Sequence, residues 1–470
     1  MKKFVPVLFL LASAYGAFAQ ESLSLARAIE RGLQNNFDVQ IQKLEIDIAT
    51  RNNTIGQAGM LPLINLNGNQ NNNITYRQPA NPFAVPGQNI SDNLVGQLDV
   101  QFILFDGFFV RISKRQLEQL EKVSYGNATL VIENTIQAII LNYYLALMER
   151  ERTDLRKKVM DFSRERYDYV KLRKELGGAI TFDVLQAQND YLTDSTNYLL
   201  QALTYKNTIR SLNVLLNEEL SKTYTLTDSL TFVNEVYSLD DLRRKMTSTN
   251  TNLRNQYMNQ ELMRLATKAA MADRYPTVTF NTGLNGSLDR LNANFGSRIG
   301  PPQTIGYVNG DENTPVISNQ PGVVQVRQTN DGYSYGAYGN FTLRYTLFNG
   351  GQINRNIENA KVREQIVQMN VDQLKLSLEN GLQVTFDEYN LRRQLVEIAN
   401  VKFKATELNL ELANERYKNG ALSAIDLRIV QEAYQNAALE NLLAIYNVLF
   451  SKTELVRITG GLVDEFDARP

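Results

Sequence analysis

The sequence has no histidine and no cysteine in 470 residues. That removes the side chain titrating nearest neutrality, the commonest metal ligand, thiolate nucleophiles, disulfides and a lipidated N-terminal cysteine. Chemistry would have to come from carboxylates, lysines or tyrosines, and their spacing gives no nucleophile-base or acid-base constellation. The carboxylates whose placement does recur are Asp183 and Asp426, each six residues after a glycine, Gly177 or Gly420. A carboxylate there falls in the first turn of a helix starting just after the glycine, where it faces the positive end of the helix dipole. The stretches Gly177-Gly178-Ala179-Ile180-Thr181 and Gly420-Ala421-Leu422-Ser423 then read as helix–helix turns, because glycine takes the left-handed conformation that ends a helix. This is positioning chemistry rather than catalysis: no enzyme, cofactor or metal is implied. A net charge of -1 gives no electrostatic case for nucleic acid.

The elements around those turns come from a duplication. Ser24-Leu25 recurs as Ser238-Leu239, Asn36 as Asn250 and Pro62 as Pro276, all 214 residues apart. Further along the offset becomes 243: Leu104-Phe105-Asp106-Gly107 recurs as Leu347-Phe348-Asn349-Gly350, Arg173 as Arg416, Gly177 as Gly420, Asp183 as Asp426 and Leu212 as Leu455. Two constant offsets in one order mark a duplicated domain, since two repeats are too few for a solenoid. The second copy carries 29 extra residues between its Pro and Phe-Asn-Gly motifs.

Within each repeat the hydrophobic period switches. Leu427, Val430, Tyr434, Ala437, Asn441, Ala444, Val448, Ser451, Leu455 and Ile458 alternate 3 and 4 apart, a coiled-coil seam. Val367, Val371, Leu374, Leu378 and Leu382 mark a second helix, from about Asn354 to Asn419, which would reach on the order of 100 Å and imply an elongated molecule. Between helices the period falls to 2, with Leu98, Val100, Phe102, Leu104 and Phe341, Leu343, Tyr345, Leu347 alternating with polar residues. Strands are expected over about 61–69, 95–105, 275–285 and 335–348, with long polar loops over Asn69–Asn93 and Asn285–Gly332. At the N-terminus, Lys2-Lys3, the apolar run Phe4–Leu11 and Ala17-Phe18-Ala19 have the three parts of a signal peptide, with cleavage before Gln20. No later run has the roughly 18 consecutive apolar residues of a membrane helix. An exported chain with strands of roughly 9–11 residues fits a membrane β-structure. Four strands cannot close a barrel, and an open edge is not tolerated in lipid, so copies must join. The alternative is an exported coiled-coil scaffold or adhesin with β-hairpins and no channel.

The order helix, strand pair, long helix, return helix, given twice, resembles the TolC family of outer-membrane efflux proteins. The motifs that carry the resemblance are Leu61-Pro62 and Tyr275-Pro276, Leu-Phe-Asp/Asn-Gly at 104–107 and 347–350, and Arg416-Tyr417-Lys418-Asn419-Gly420 followed by Asp426-Leu427. It implies a mixed α and transmembrane β fold, in which long antiparallel coiled-coil helices form an α-barrel tunnel. Each chain gives four strands to a trimeric twelve-stranded outer-membrane β-barrel. The expected organisation is a signal peptide over 1–19, repeat one over 20–220, a linker with a short strand over 221–235, repeat two over 236–460 and a tail over 461–470. The implied function is a passive channel-tunnel subunit, a homotrimer in outer-membrane lipid that serves drug efflux or type I secretion. Its implied partners are a periplasmic adaptor and an inner-membrane pump of RND or ABC type, with no nucleic acid. In the family the periplasmic gate uses a Tyr, an Arg and Asp residues. By motif position Tyr417, Asp183 and Asp426 match, whereas Leu422 stands in place of the Arg and Ile429 in place of a second ring Asp. The tip expected to meet the adaptor comprises Gly177, Gly178, Ala179, Gly420, Ala421, Leu422 and Ser423. Asn36-Phe37 replaces the family's frequent Asn-Pro, and there is no Trp.

Overall fold

The computed structural model describes residues 21–78, 80 and 86–465, so the signal-peptide segment 1–19 lies outside the described residues. The chain divides into two compact units, and each repeat contributes to both. One unit comprises residues up to 51 with 119–262 and 365 onward, and the other 52–118 with 263–364.

The first unit is helical. Repeat one gives α1 (Leu25–Asn35), α2 (Phe37–Asn52), α3 (Phe109–Glu175) and α4 (Thr181–Leu216). Repeat two gives α5 (Leu239–Thr249), α6 (Thr251–Ala272), α7 (Gln352–Lys418) and α8 (Ala424–Ile458), and a one-turn α9 (Leu462–Glu465) follows. α3 and α7 are 67 residues each, as the unbroken 3.6-residue period of the sequence requires. The seam on α8 is an interior one, with Leu427, Ala437, Val448, Ser451, Leu455 and Ile458 all buried. α3 contains one stretch apolar enough by composition to cross a membrane, although interspersed Asn, Gln and Thr leave no unbroken apolar run in it. Half of it is buried, with Ile132, Ile136, Ile139, Tyr143 and Leu147 in the largest core cluster. It is a core helix.

The duplication is visible in hydrogen bonds. Asn36 sits between α1 and α2, and its Nδ2 donates to the Leu215 carbonyl (3.0 Å) while its Oδ1 accepts from Asp38 N (2.9 Å). Asn250 repeats this between α5 and α6, donating to the Ile458 carbonyl (2.8 Å) and accepting from Leu253 N (2.9 Å). Leu215 and Ile458 are 243 residues apart, and Val39, whose N also donates to Asn36 Oδ1 (3.3 Å), is 214 residues before Leu253, so the partners repeat at the offsets of the motifs. An asparagine here performs the capping that keeps α2 and α6 separate helices, without the proline.

The expected short strand of the linker is β4 (Tyr224–Leu226), paired in parallel with β1 (Glu21–Leu23). The Tyr143 hydroxyl lies 2.8 Å from the Leu23 carbonyl oxygen and 2.6 Å from the Asp228 carboxylate, which also accepts from Leu25 N (2.8 Å). Burial, reinforced by that carboxylate, pushes the Tyr143 phenol well up. Glu21 bonds Arg31 and lies 3.1 Å from Lys222 Nζ, and these hydrogen bonds hold its carboxyl at about 2 against an ordinary 4.5. A depressed carboxylate stabilises the fold fully above its unfolded pKa and loses that contribution as pH falls through its folded one. Glu21→Gln should therefore lower the urea midpoint at pH 7 and cease to matter near pH 2, with the gap closing between about 4.5 and 2. The side chain is 40% exposed, so the full gap should stay below about 1 kcal/mol.

The second unit is built on an antiparallel sheet in the order β2-β3-β5-β6. Its strands are β2 (Leu63–Arg77), β3 (Gly87–Asp106), β5 (Thr277–Tyr307) and β6 (Pro315–Arg344). They are far longer than expected, and much of both supposed loops, Asn69–Asn93 and Asn285–Gly332, is strand. The reason is in β2, where Asn65, Asn67, Asn69, Asn71 and Asn73 keep a period of 2 that hydropathy cannot show once Gln70 and Asn72 fall between them. The backbone ladder is supplied by β3, from Leu63 opposite Gln101 to Arg77 opposite Gly87.

The register sorts the sheet into two faces. One carries Asn67, Gln97, Asp99 and Tyr338, joined by bonds such as Asn67 Nδ2 to Asp99 Oδ2 (2.8 Å) and Gln97 Nε2 to Asp99 Oδ1 (2.6 Å), with Tyr338 also on Asp99. The other carries Leu66, Leu98, Leu284, Leu288, Tyr335, Phe341 and Leu343, all exposed. At one end of that apolar face Asp92, Arg290 and Asp331 lie in register across three strands, with Arg290 Nε 2.8 Å from Asp331. The outer edges of β2 and β6 pair with no other strand among the described residues.

Candidate functional site: the turns of the two long hairpins

Both turns have the conformation that the glycines imply. Gly177 and Gly420 have φ of 80° and 75°. Gly178 N donates to the Arg173 carbonyl and Gly177 N to Lys174, while Ala421 N donates to Arg416 and Gly420 N to Tyr417, all at 2.8–3.0 Å. This pairing closes a helix with a left-handed residue and satisfies its last carbonyls. A β-carbon at Gly177 or Gly420 would meet no atom within 4 Å, so their requirement is conformational rather than steric.

The two aspartates cap the return helices. Asp183 accepts from Ile180 N (3.2 Å). Asp426 accepts from the Ser423 hydroxyl (2.7 Å), whose oxygen accepts in turn from Asp426 N (3.1 Å). Both carboxylates stay exposed.

A cleft of about 760 Å³ opens between the two turns. Gly178, Ala179, Asp183, Tyr417, Gly420, Leu422 and Ser423 line it, whereas Gly177, Ala421 and Asp426 do not. Tyr417 meets Tyr169 edge to face, with centroids 6.4 Å apart. Burial, with Tyr169 alongside, raises the Tyr417 phenol against the opposing pull of Arg166 and Arg173. Leu422 packs with Tyr417 on the small cluster of Leu410, Ala413 and Leu427. This position gives the turn an apolar contact rather than a charge.

Besides Arg173 and Lys418 at the turns, two cations of the site, Arg166 and Arg428, sit deeper and outside the repeated motifs. Arg428, on α8 of repeat two, donates from Nη1 and Nη2 to Asp194 Oδ2 and Oδ1 on α4 of repeat one, at 2.6 and 3.1 Å. Ser163 on α3 also bonds Asp194, and Arg428 Nε reaches Glu432 at 2.9 Å. Burial opposes the Arg428 charge, but the bonds to Asp194, with Asp190 and Glu432 nearby, outweigh it and raise its pKa. A second pair, Arg166 with Asp190, ties α3 to α4. For Asp194 a signal exists in the sequence. Ala187, Tyr191, Asp194, Tyr198, Gln201, Tyr205, Thr208 and Leu212 alternate 4 and 3 apart, so Asp194 occupies a seam position where an apolar residue is the rule.

No family model matches the sequence, and no curated protein does. Solved structures match the fold. The Campylobacter jejuni CmeC outer-membrane channel superposes with a TM-score of 0.71 at 16% identity, over 93% of this chain and 85% of that one. The outer-membrane protein VceC of Vibrio cholerae gives 0.67 at 13% identity, over 93% and 96%. The open-state MtrE outer-membrane channel of Neisseria gonorrhoeae gives 0.64 at 16% identity, over 93% and 89%. The chain has the fold of the TolC-family outer-membrane channels.

Proposed function

We propose that three copies of this chain close one outer-membrane barrel and form the passive exit duct of a tripartite export system. The observation that carries this reading is the four-stranded sheet with one exposed apolar face, one hydrogen-bonded polar face and two edges that no other strand pairs among the described residues. In lipid the apolar face is stable only outward, and the edges are stable only when joined to another copy. The polar face then lines the lumen. A periplasmic adaptor meets the tip at Gly177, Gly178, Ala179, Gly420, Ala421, Leu422 and Ser423, and an inner-membrane pump supplies the energy. Fractionation to the outer membrane, a trimer in detergent and conductance in planar bilayers are the expected results. A monomer that stays in solution without detergent would sink the reading.

In the closed duct Asp183, Tyr417, Leu422 and Asp426 form the constriction, with closure resting on apolar packing at Tyr417 and Leu422. The Arg428–Asp194 tie holds the two hairpins of each chain together. Three exposed Asp426 carboxylates around one axis favour cations. Asp426→Asn should therefore lower cation over anion selectivity, read as the reversal potential in a salt gradient. An unmoved potential would take Asp426 out of the pore and leave it a helix cap.

A further inference from the structure

β5 and β6 continue well past the sheet they belong to. β3 accompanies β5 only as far as Ile90 opposite Asn292, and β2 ends at Arg77, but β5 and β6 stay paired out to Tyr307 opposite Pro315. Beyond Asn292 they form a two-stranded ribbon, with no other strand on it among the described residues. All the register shifts of the β5–β6 pair fall between Asn294 and Gly306, and shifts of this kind bend a strand and increase its twist. Pro301, Pro302, Pro315 and Pro321 lie on the ribbon and remove donors through which another strand could add to its edges. Its far end is apolar. Ile305, Tyr307, Val308, Val316 and Ile317 are exposed there, with Asp311 and Glu312 in the turn between them.

We propose that this ribbon is a contact between copies of the chain: the apolar ends of three ribbons pack on one another and narrow the outer mouth of the duct. The inference rests on the trimeric barrel proposed above. The ribbon starts just past the charged row of Asp92, Arg290 and Asp331 on the apolar face and runs on for roughly 15 residues per strand, about 50 Å, so its end stands clear of the lipid chains. Threefold closure sets three identical apolar ends on one rim. Twelve strands about 4.8 Å apart and tilted by about 40° enclose a radius of about 12 Å. A ribbon of roughly 15 residues per strand reaches about 50 Å, so one bent at its bulges has ample length to meet the others at the axis. With the edges blunted by proline, the contact is made by side chains.

The sequence has no cysteine, so Ile305→Cys and Ile317→Cys each introduce a single thiol. Oxidation of the assembled trimer should yield covalent dimers, the third thiol staying unpaired, and lower single-channel conductance several-fold until reductant is added. Replacing residues 295–326 by an Asn-Gly turn should raise the conductance of the untreated channel. Conducting trimers that give only monomers on denaturing gels at both positions, and keep wild-type conductance without the ribbon, would overturn the ribbon contact and leave the duct standing. A wild-type chain that forms no conducting trimer would instead remove the duct reading, and this inference with it.

Discussion

Replacing Asp194 with alanine should weaken the helical unit by about 3 kcal/mol and raise the resting conductance of the proposed duct. Asp194 is 2% exposed and receives both terminal nitrogens of Arg428, so its loss strands a charge rather than merely deleting a contact. Removing one partner of a buried ion pair costs about 3–5 kcal/mol. The low end applies here because Arg428 is 17% exposed and keeps Glu432 at 2.9 Å. The double variant Asp194→Leu with Arg428→Leu should recover most of that stability, since an apolar pair of similar volume often replaces a buried ion pair without loss. Urea unfolding of the solubilised protein measures the first effect and planar-bilayer conductance the second. A wild-type midpoint for Asp194→Ala would show the pair to be energetically idle. A lowered midpoint with unchanged conductance would confine it to holding the helices, with no part in closure.

This pair also shows where the sequence stops being readable. The tip turns were legible because glycine at positive φ is a local requirement, and two glycines at one offset state it twice. The interior seam of α8 was legible because apolar residues declare the period that buries them. Asp194 declares only that a polar residue occupies the α4 seam, and Arg428 declares nothing: they belong to different repeats, and only the packing of α8 on α3 and α4 makes them partners. The strands show a related limit. Hydropathy marks a strand where one face is apolar, but β2 continues through Gln70-Asn71-Asn72-Asn73, where both faces are polar and the ladder to β3 alone fixes the conformation. Asn36 marks the opposite case. Its neighbour departs from the Asn-Pro pattern, yet the asparagine side chain makes the same bonds as Asn250, because the cap depends on the amide and not on the residue after it.

Gly460 tests how far the equivalence of the repeats extends into energetics. It follows α8 with φ of 69°, and its counterpart at the 243-residue offset is Asn217, which follows α4 with φ of 51°. Both close their helices in the same way: Asn217 N bonds the Val214 carbonyl and Glu218 N the Asn213 carbonyl, while Gly460 N bonds Arg457 and Gly461 N bonds Val456. The difference lies in what faces them. Asn217 Nδ2 donates to the Asn35 carbonyl at 3.1 Å. At Gly460 a β-carbon would stand 2.4 Å from the Thr249 carbonyl oxygen, which is Asn35 shifted by the other offset. Gly460→Ala therefore combines left-handed strain of about 1–2 kcal/mol with overpacking against backbone of about 1–3 kcal/mol. A loss of about 2–5 kcal/mol is expected, read as a lower urea midpoint. Gly460→Asn meets the same carbonyl, but asparagine tolerates the left-handed region and its amide can donate to the oxygen that alanine only crowds. It should lose less than alanine by about 1 kcal/mol. Equal losses would show that the gap at Thr249 is fixed by the surrounding helices, and that Asn217 holds its place in repeat one because α1 there stands further off.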